Sequence, residues 1–241
     1  MIDTHCHIDQ FPSPELVAKK AERLRILTVA VTNLPSHYQM ACHHLHGLRY
    51  VRPALGLHPL AAKSHKQELP LFLEMVGEAE LIGEIGLDFS PAGSATGEIQ
   101  MISFRAALRA MKGRTPFVTL HSRGAEDTVL DCLRDAHVGP VVFHWFSGTR
   151  ATLDRIVREG HSLSFNPAMI LSKRWNDWLR LVPRERVLTE TDGPFTKVGT
   201  KPSEPPRVRN VLDWLAANWG CSLIEAERVV SENFSHISPH S

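Results

Sequence analysis

The chain is poor in the features that mark several large classes of protein. It has four cysteines in 241 residues, and Cys6, Cys42, Cys132 and Cys221 stand far apart with no C-x-x-C pair. That spacing excludes a disulfide-stapled scaffold and points to free thiols in a reducing compartment. Long apolar runs are missing too. The longest strongly apolar stretch, residues 26–31, falls far short of the roughly 20 residues that cross a bilayer, so no membrane role is expected. Acidic Asp3 falls where a basic, apolar leader would begin. The cytoplasm is the expected location. Neither sign of charge is in excess: 27 basic and 26 acidic residues leave a net charge of +1. A protein that grips a long stretch of nucleic acid shows a basic excess or a basic face. A nucleic-acid substrate would therefore be held here by a few residues at one end. No linker rich in Pro, Gly or Ser divides the chain, and no sequence repeat is evident.

What is present is an ordinary globular composition, 43% hydrophobic and 22% charged, with one oddity, fourteen histidines. Histidine is the commonest metal ligand and a frequent proton carrier. The apolar pattern alternates between two periods. Short β-branched or apolar runs fall at residues 1–4, 26–32, 51–57, 81–87, 117–120, 141–143, 161–165 and 187–191. Amphipathic stretches lie between them at 14–25, 36–48, 66–78, 97–113, 124–136, 149–160 and 171–181, and another follows at 204–219. Strands alternating with helices signal parallel βαβ units. Eight such units in a chain close to the roughly 250 residues a (β/α)₈ barrel normally needs predict an α/β fold of that kind, a TIM barrel, as one domain over residues 1–241. The loops are 90–97 (SPAGSATG) and 199–206 (GTKPSEPP). Ser222 and Glu225 make a capping-box pattern for one more short helix, and a polar, frayed tail is expected after about residue 235.

Six of the eight runs end in groups that bind metals or move protons, and in a barrel those ends face one another. His5 and His7 lie two apart on a strand, on the same side. Two imidazoles there suit one metal ion or form a polar strand end bonded to nearby loops. Asp3 shares their side and is placed to orient an imidazole. Glu84 sits deep in an apolar strand between Gly83 and Gly86. A buried glutamate without a cation is costly, so either a metal or a buried arginine is expected; a carboxylate bridging two ions about 4 Å apart would serve hydrolysis. Asp88, at the strand tip, holds a loop or a neighbouring group. His121 (in HSR) and His144 (in HWFSG) each follow an apolar run. Singly, either reads as a core histidine; together with the first pair they read as ligands. Asp192 in ETDGP can coordinate a metal and take a proton from bound water, with Glu190 behind it as support or relay. Glu84 and Asp192 are the expected catalytic carboxylates.

His58 (in GLHP) ends a strand and is placed to touch substrate, as is Arg123. Arg150, Lys173, Arg174, Lys197 and Lys201 lie in or near later loops and could neutralise phosphate. Trp145 and Trp175 either stack on bases or pack in the core. His43, His44 and His46 fit a solvated helix face, and His37, His65, His137, His161, His236 and His240 read as surface or loop residues. One or two divalent ions are expected, with histidines favouring Zn²⁺ or Mn²⁺ and carboxylates also accepting Mg²⁺.

Six ordered blocks, IDTHCHID, GLHP, GEIGLDF, HSR, HWFSG and ETDGPF, span residues 2 to about 195 and resemble the TatD family of metal-dependent deoxyribonucleases. The resemblance implies a (β/α)₈ barrel with a one- or two-metal centre that hydrolyses DNA phosphodiesters, often from a 3′ end of a single strand. By that likeness His5, His7, Glu84 and Asp192 would hold one ion, and Glu84, His121 and His144 the other. Trp145 replaces a usual small residue, Phe89-Ser90-Pro91 stands where Tyr and a basic residue are usual, and the following loop is short. The HWFSG block and compact size resemble the QatD component of Qat anti-phage systems, which implies protein partners in a defence complex. Two other readings stay open. The same ligands serve amide or ester hydrolysis of a small molecule or an aminoacyl-nucleic acid, and a barrel of this kind could be a non-catalytic subunit of a defence complex.

Overall fold

Eight strands lie side by side in chain order: β1 (Ile2–Cys6), β2 (Leu27–Val31), β3 (Val51–Leu57), β4 (Leu81–Gly86), β5 (Phe117–His121), β6 (Val142–Phe143), β7 (Ser162–Phe165) and β8 (Val187–Thr189). They belong to a computed structural model that describes residues 1–238. Every neighbouring pair runs parallel. The β8 end returns to β1: Thr4 Oγ1 donates to the Thr189 carbonyl at 3.0 Å, and the Asp192 and His7 amides donate to the His5 and Gly193 carbonyls at 2.8 Å each. The ring is nearly closed. Helices bury the outer face of the strands and the packed barrel interior buries the inner one, which is why these strands read as near-continuous apolar runs; all five residues of β1 are buried.

The helices that cover the ring are α1 (Pro14–Arg23), α2 (Pro35–His44), α3 (His65–Met75), α4 (Gly97–Ala110), α5 (Glu126–Ala136), α6 (Arg150–Arg158), α7 (Lys173–Trp178), α8 (Val208–Trp219) and α9 (Leu223–Ile237). Their inner faces follow the 3.6-residue period; α5 buries Val129, Leu130, Cys132 and Leu133 against the sheet. Thr149 caps α6, accepting from the Thr152 amide. Ser222 caps α9 the same way, from the Glu225 amide at 3.2 Å, as its spacing predicts. Phe117, Phe143, Phe165 and Trp175 are among the largest fully buried side chains.

Several boundaries differ from the sequence expectation, each for a local reason. β1 runs to Cys6, so His5 lies within the strand. β8 stops at Thr189 because residues 190–192 turn away, with Asp192 at φ +47°. The helix expected over 204–219 begins at Val208; Pro205 and Pro206 hold a single 3₁₀ turn in front of it. The loop after β8 contains a small antiparallel hairpin, β9 (Lys197–Val198) with β10 (Lys201–Pro202). α9 extends to Ile237, past the point where a frayed tail is expected. Residues 239–241, with His240, lie outside the described residues. Among the described residues, no helix is long and apolar enough to cross a membrane. All four cysteines are free.

A carboxylate ringed by imidazoles at the barrel mouth

Glu84 enters the barrel on β4, almost wholly buried at 1% exposure, and its two flanking glycines have steric causes. A Cβ on Gly83 would lie 2.3 Å from Thr119 Cγ2, and one on Gly86 1.9 Å from the His121 carbonyl. β5 therefore approaches β4 more closely than side chains permit, and that approach carries His121 up to the carboxylate. His121 Nδ1 is 2.6 Å from Glu84 Oε1, and His144 Nε2 is 3.0 Å from the same oxygen. The other oxygen, Oε2, faces a second set: His7 Nε2 at 3.1 Å, His58 Nε2 at 3.1 Å and His5 Nε2 at 3.4 Å. Asp192 Oδ1 stands beside that second set, 3.7 Å from His7 and 3.9 Å from His5.

The nitrogens and carboxylate oxygens crowded here are of the kind that hold cations. Each neutral imidazole carries one N–H and one lone pair. His5 and His7 point their Nε2 atoms at each other across 3.3 Å, and both face a carboxylate oxygen. His5 cannot relieve this by protonation: burial, reinforced by His144, pushes it down to about 3. Burial alone would raise the Glu84 carboxyl, but His58, His144, His121 and His5 outweigh it and hold it well below the usual range. Burial would push His7, His121 and His144 down, but Glu84 outweighs it and raises all three; imidazoles packed around one buried carboxylate are also a donor set that fits divalent ions. Residues His5, His7 and Glu84, residues His5, His144 and Asp192, and residues His58, Glu84 and His121 each bring three ligating atoms within 4.8 Å of one another.

The outer contacts orient the rings, as ligating histidines require. Thr119 Oγ1 pairs with His5 Nδ1 at 2.8 Å. Asp88 Oδ2 takes His121 Nε2 at 2.7 Å, while its Oδ1 accepts from the Ser90 amide; the carboxylate holds both a loop and a ring. Glu190 lies 3.6 Å from His144 Nδ1, too long for a hydrogen bond. It accepts instead from Ser164, from Asn166 Nδ2 at 2.9 Å and from the Trp145 amide at 3.1 Å. His58 is different. Its Nδ1 accepts from the Leu60 amide at 3.0 Å, so the neutral ring carries its proton on Nε2, where it donates to Glu84. That tautomer suits a hydrogen-bond donor better than a ligand.

The six expected ligand residues, His5, His7, Glu84, His121, His144 and Asp192, therefore converge, and His58 joins them. His7, His58, Glu84, His121, His144 and Asp192, together with Asn33, Arg123, Trp145 and Phe195, line a cavity of about 710 Å³, and His5 lies fully buried behind them. A second hollow of about 580 Å³ opens between α1 and α2 beside Ala18, Ala41 and Leu45; no three-ligand cluster among the described residues falls in it. Other expectations are corrected. Asp3 touches no imidazole: it accepts from the Thr191 amide (2.8 Å), Thr191 Oγ1 (2.6 Å) and the His5 amide, clamping β1 to the β8 end. Trp175 is buried against Phe165 and Phe146 and cannot stack on a base. Arg174 stacks over Trp178 at 5.0 Å and donates to the carbonyls of residues 146, 147 and 148, which bind up the loop after β6. Arg150 pairs with Asp154. His65 and His161 are buried, not surface residues: His65 donates to the His58 carbonyl at 3.1 Å, and His161 accepts from the Val141 amide. Thr119, Asn166, Asn33 and Phe195 escaped the sequence reading. Thr119 was within reach of it, lying two before His121 on the same strand face, and Asn166 ends β7 as the histidines end their strands.

A (β/α)₈ barrel with such donors gathered at the carboxyl ends of its strands defines the class of barrel-type metal-dependent hydrolases. Comparison with known proteins narrows the class. The family profile described as TatD related DNase matches residues 2–238, and the chain belongs to the TatD family. Among relatives, the human "Deoxyribonuclease TATDN3" is 25% identical, with 99% of this chain and 94% of that protein covered. The "Uncharacterized metal-dependent hydrolase YcfH" of Escherichia coli K12 is 27% identical (98% and 95% covered). The "3'-5' ssDNA/RNA exonuclease TatD" of Erwinia amylovora is 30% identical over 80% of this chain and 78% of its own. The crystal structure of the TatD homologue YJJV of E. coli K12 superposes with a TM-score of 0.87 at 23% identity, covering 99% of this chain and 97% of that one.

Proposed function

We propose that this hydrolase cuts DNA phosphodiester bonds, removing nucleotides from the 3′ end of a single strand, with residues 1–241 acting as one barrel domain. The observation that carries the proposal is the division of labour on Glu84, whose two oxygens face separate imidazole sets. In this reading His5, His7, Glu84 and Asp192 hold one ion, and Glu84, His121 and His144 hold a second. When bound, divalent ions (Mg²⁺, Mn²⁺ or Zn²⁺) neutralise the phosphate and lower the pKa of water. Asp192, whose Oδ1 faces His7 and His5 beside the Glu84 carboxylate, takes the proton released as the water oxygen attacks phosphorus. His58, with its proton on Nε2, donates to the departing 3′ oxygen as the P–O bond breaks. Arg123, exposed on the cavity wall, binds the phosphate.

The test is a labelled single-stranded oligonucleotide incubated with the purified chain and each ion in turn. We expect stepwise shortening from the 3′ end, loss of activity with EDTA, and loss of at least about a thousandfold in Glu84→Ala. An undiminished Glu84→Ala enzyme refutes the assignment; turnover of a small ester or amide with DNA left intact moves the reading to the other chemistry. We further propose a QatD-like place in a cytoplasmic anti-phage complex, which the HWFSG block and the short loop after β4 support. Phage plating on cells that carry the chain with its neighbouring genes should lose its protection when Glu84→Ala is introduced.

A further inference from the structure

Two aromatic rings line the catalytic cavity without being needed to cleave a phosphodiester. Trp145 is 38% exposed and Phe195 56% exposed, yet both border the cavity that holds Glu84, His121 and Asp192. The backbone holds each of them there. Trp145 sits at φ +37°, a conformation bulky residues rarely adopt, and its amide is tied to Glu190. The Phe195 amide closes a turn onto the Asp192 carbonyl at 2.9 Å, and its ring stands edge-on to His7 with centroids 5.0 Å apart. Among the described residues lining the cavity, Arg123 is the single lysine or arginine. One cation and two exposed rings match one nucleotide, with its phosphate at Arg123 and its base on the rings.

We propose that Trp145 and Phe195 form a stacking platform that selects an unpaired terminal base, an inference that rests on the nuclease reading above. A base inside a duplex has both faces covered by its neighbours, so a ring can take it only after it leaves the stack. Stacking is tolerant of base identity, because every base has a π-face. The platform therefore discriminates single from double strands, not one sequence from another.

The experiment compares steady-state hydrolysis of a 3′-labelled single strand with that of a matched strand whose 3′-terminal nucleotide is abasic. The metal-loaded wild type, Trp145→Ala, Trp145→Phe and Phe195→Ala are assayed, with bound metal measured in each. Losing one base–aromatic stack should raise KM about 5- to 150-fold on the normal end, with kcat and metal content little changed. Trp145→Phe should recover most of that loss. On the abasic end, wild type and Trp145→Ala should agree within about twofold, because neither has a base to stack. An unchanged KM in both alanine variants, or an equal defect on both ends, overturns the platform while leaving the nuclease intact. A wild type that cuts neither strand overturns both readings.

Discussion

Removing Glu190 separates its structural duty from its electrostatic one. The carboxylate is fully buried at 0% exposure and accepts from Ser164, Asn166 Nδ2 and the Trp145 amide. Burial pushes its pKa up, but His144 and its hydrogen-bond donors more than offset this and hold it below the usual range, so the ionised group is stabilised where it sits. Glu190→Ala strands three buried donors at about 1–3 kcal/mol each. Ser164 can rotate toward another acceptor, so we expect a net loss of about 4 kcal/mol, a fall in Tm of about 10 °C for a chain of this size. Glu190→Gln keeps one acceptor oxygen for Asn166 and Trp145 and should cost only about 1 kcal/mol. Both variants remove a negative charge 3.6 Å from His144 Nδ1 and should weaken metal binding by up to about tenfold. Calorimetric melting in EDTA measures the first effect; titration with Mn²⁺ measures the second. A Glu190→Ala protein melting within about 2 °C of wild type would show that the three donors do not depend on this carboxylate. A Glu190→Gln protein binding Mn²⁺ as tightly as wild type would show that the negative charge beside His144 does not support the ion.

Three further outcomes follow from the same geometry. Saturating the centre with Mn²⁺ or Zn²⁺ at a hundred times Kd should stabilise the fold by about 2.7 kcal/mol, and the Tm gain should vanish with EDTA or in Glu84→Gln; a gain that survives Glu84→Gln would place the ion elsewhere. With Arg123 the one lysine or arginine among the described residues on the cavity wall, single-strand binding should fall with a log–log salt slope of about −0.7, and KM should rise less than about threefold from 50 to 200 mM salt; a slope steeper than about −2 would reveal a cationic track outside the cavity. His161 is held down to about 4, by burial first and by Arg186 and Arg155 in addition. Its folded pKa lies below the unfolded one, so its contribution is complete above about pH 6.5 and declines as pH falls toward 4, by about 3 kcal/mol in all. Urea unfolding of wild type and His161→Asn at pH 7 and pH 4.5 should show the variant with the shallower dependence; equal slopes would contradict the burial of a neutral ring.

The barrel and the side chains that converge at its mouth were legible because both produce signals local in sequence. Strand order needs only the alternation of periods, and each of those side chains stands at or near the end of its own apolar run. Partnerships across strands are not local. Thr119 meets His5 from 114 residues away, and only the register of β4 against β5, set by the missing side chains of Gly83 and Gly86, brings them level. Asp3 shows the limit of strand alternation. It does share a side with His5 and His7, but it lies one repeat deeper, where the Thr191 amide and hydroxyl reach it before any imidazole can. His161 was misjudged because a polar residue next to a turn usually faces water. Here Gly139 leaves the space, since a Cβ there would lie 3.0 Å from the His161 ring.

The centre is readable for the reason that makes it costly. Natural sequences keep propensity, burial and polar satisfaction in agreement except at functional sites, and every element of this site breaks one of those rules. Glu84 is a charge in an apolar strand, Asp192 and Trp145 hold left-handed backbone without being glycine, and His7 and His144 each bury a ring nitrogen with no partner. Had stability alone shaped the mouth, apolar groups of similar volume would serve as well or better than buried charges. Divalent ions held by these residues would supply the positive charge that the His5 and His7 nitrogens and the Glu84 oxygens otherwise lack. Stability and chemistry at this barrel mouth are thus joined through bound metal, and the protein should be measurably more stable around β1, β4 and β8 when metal is present.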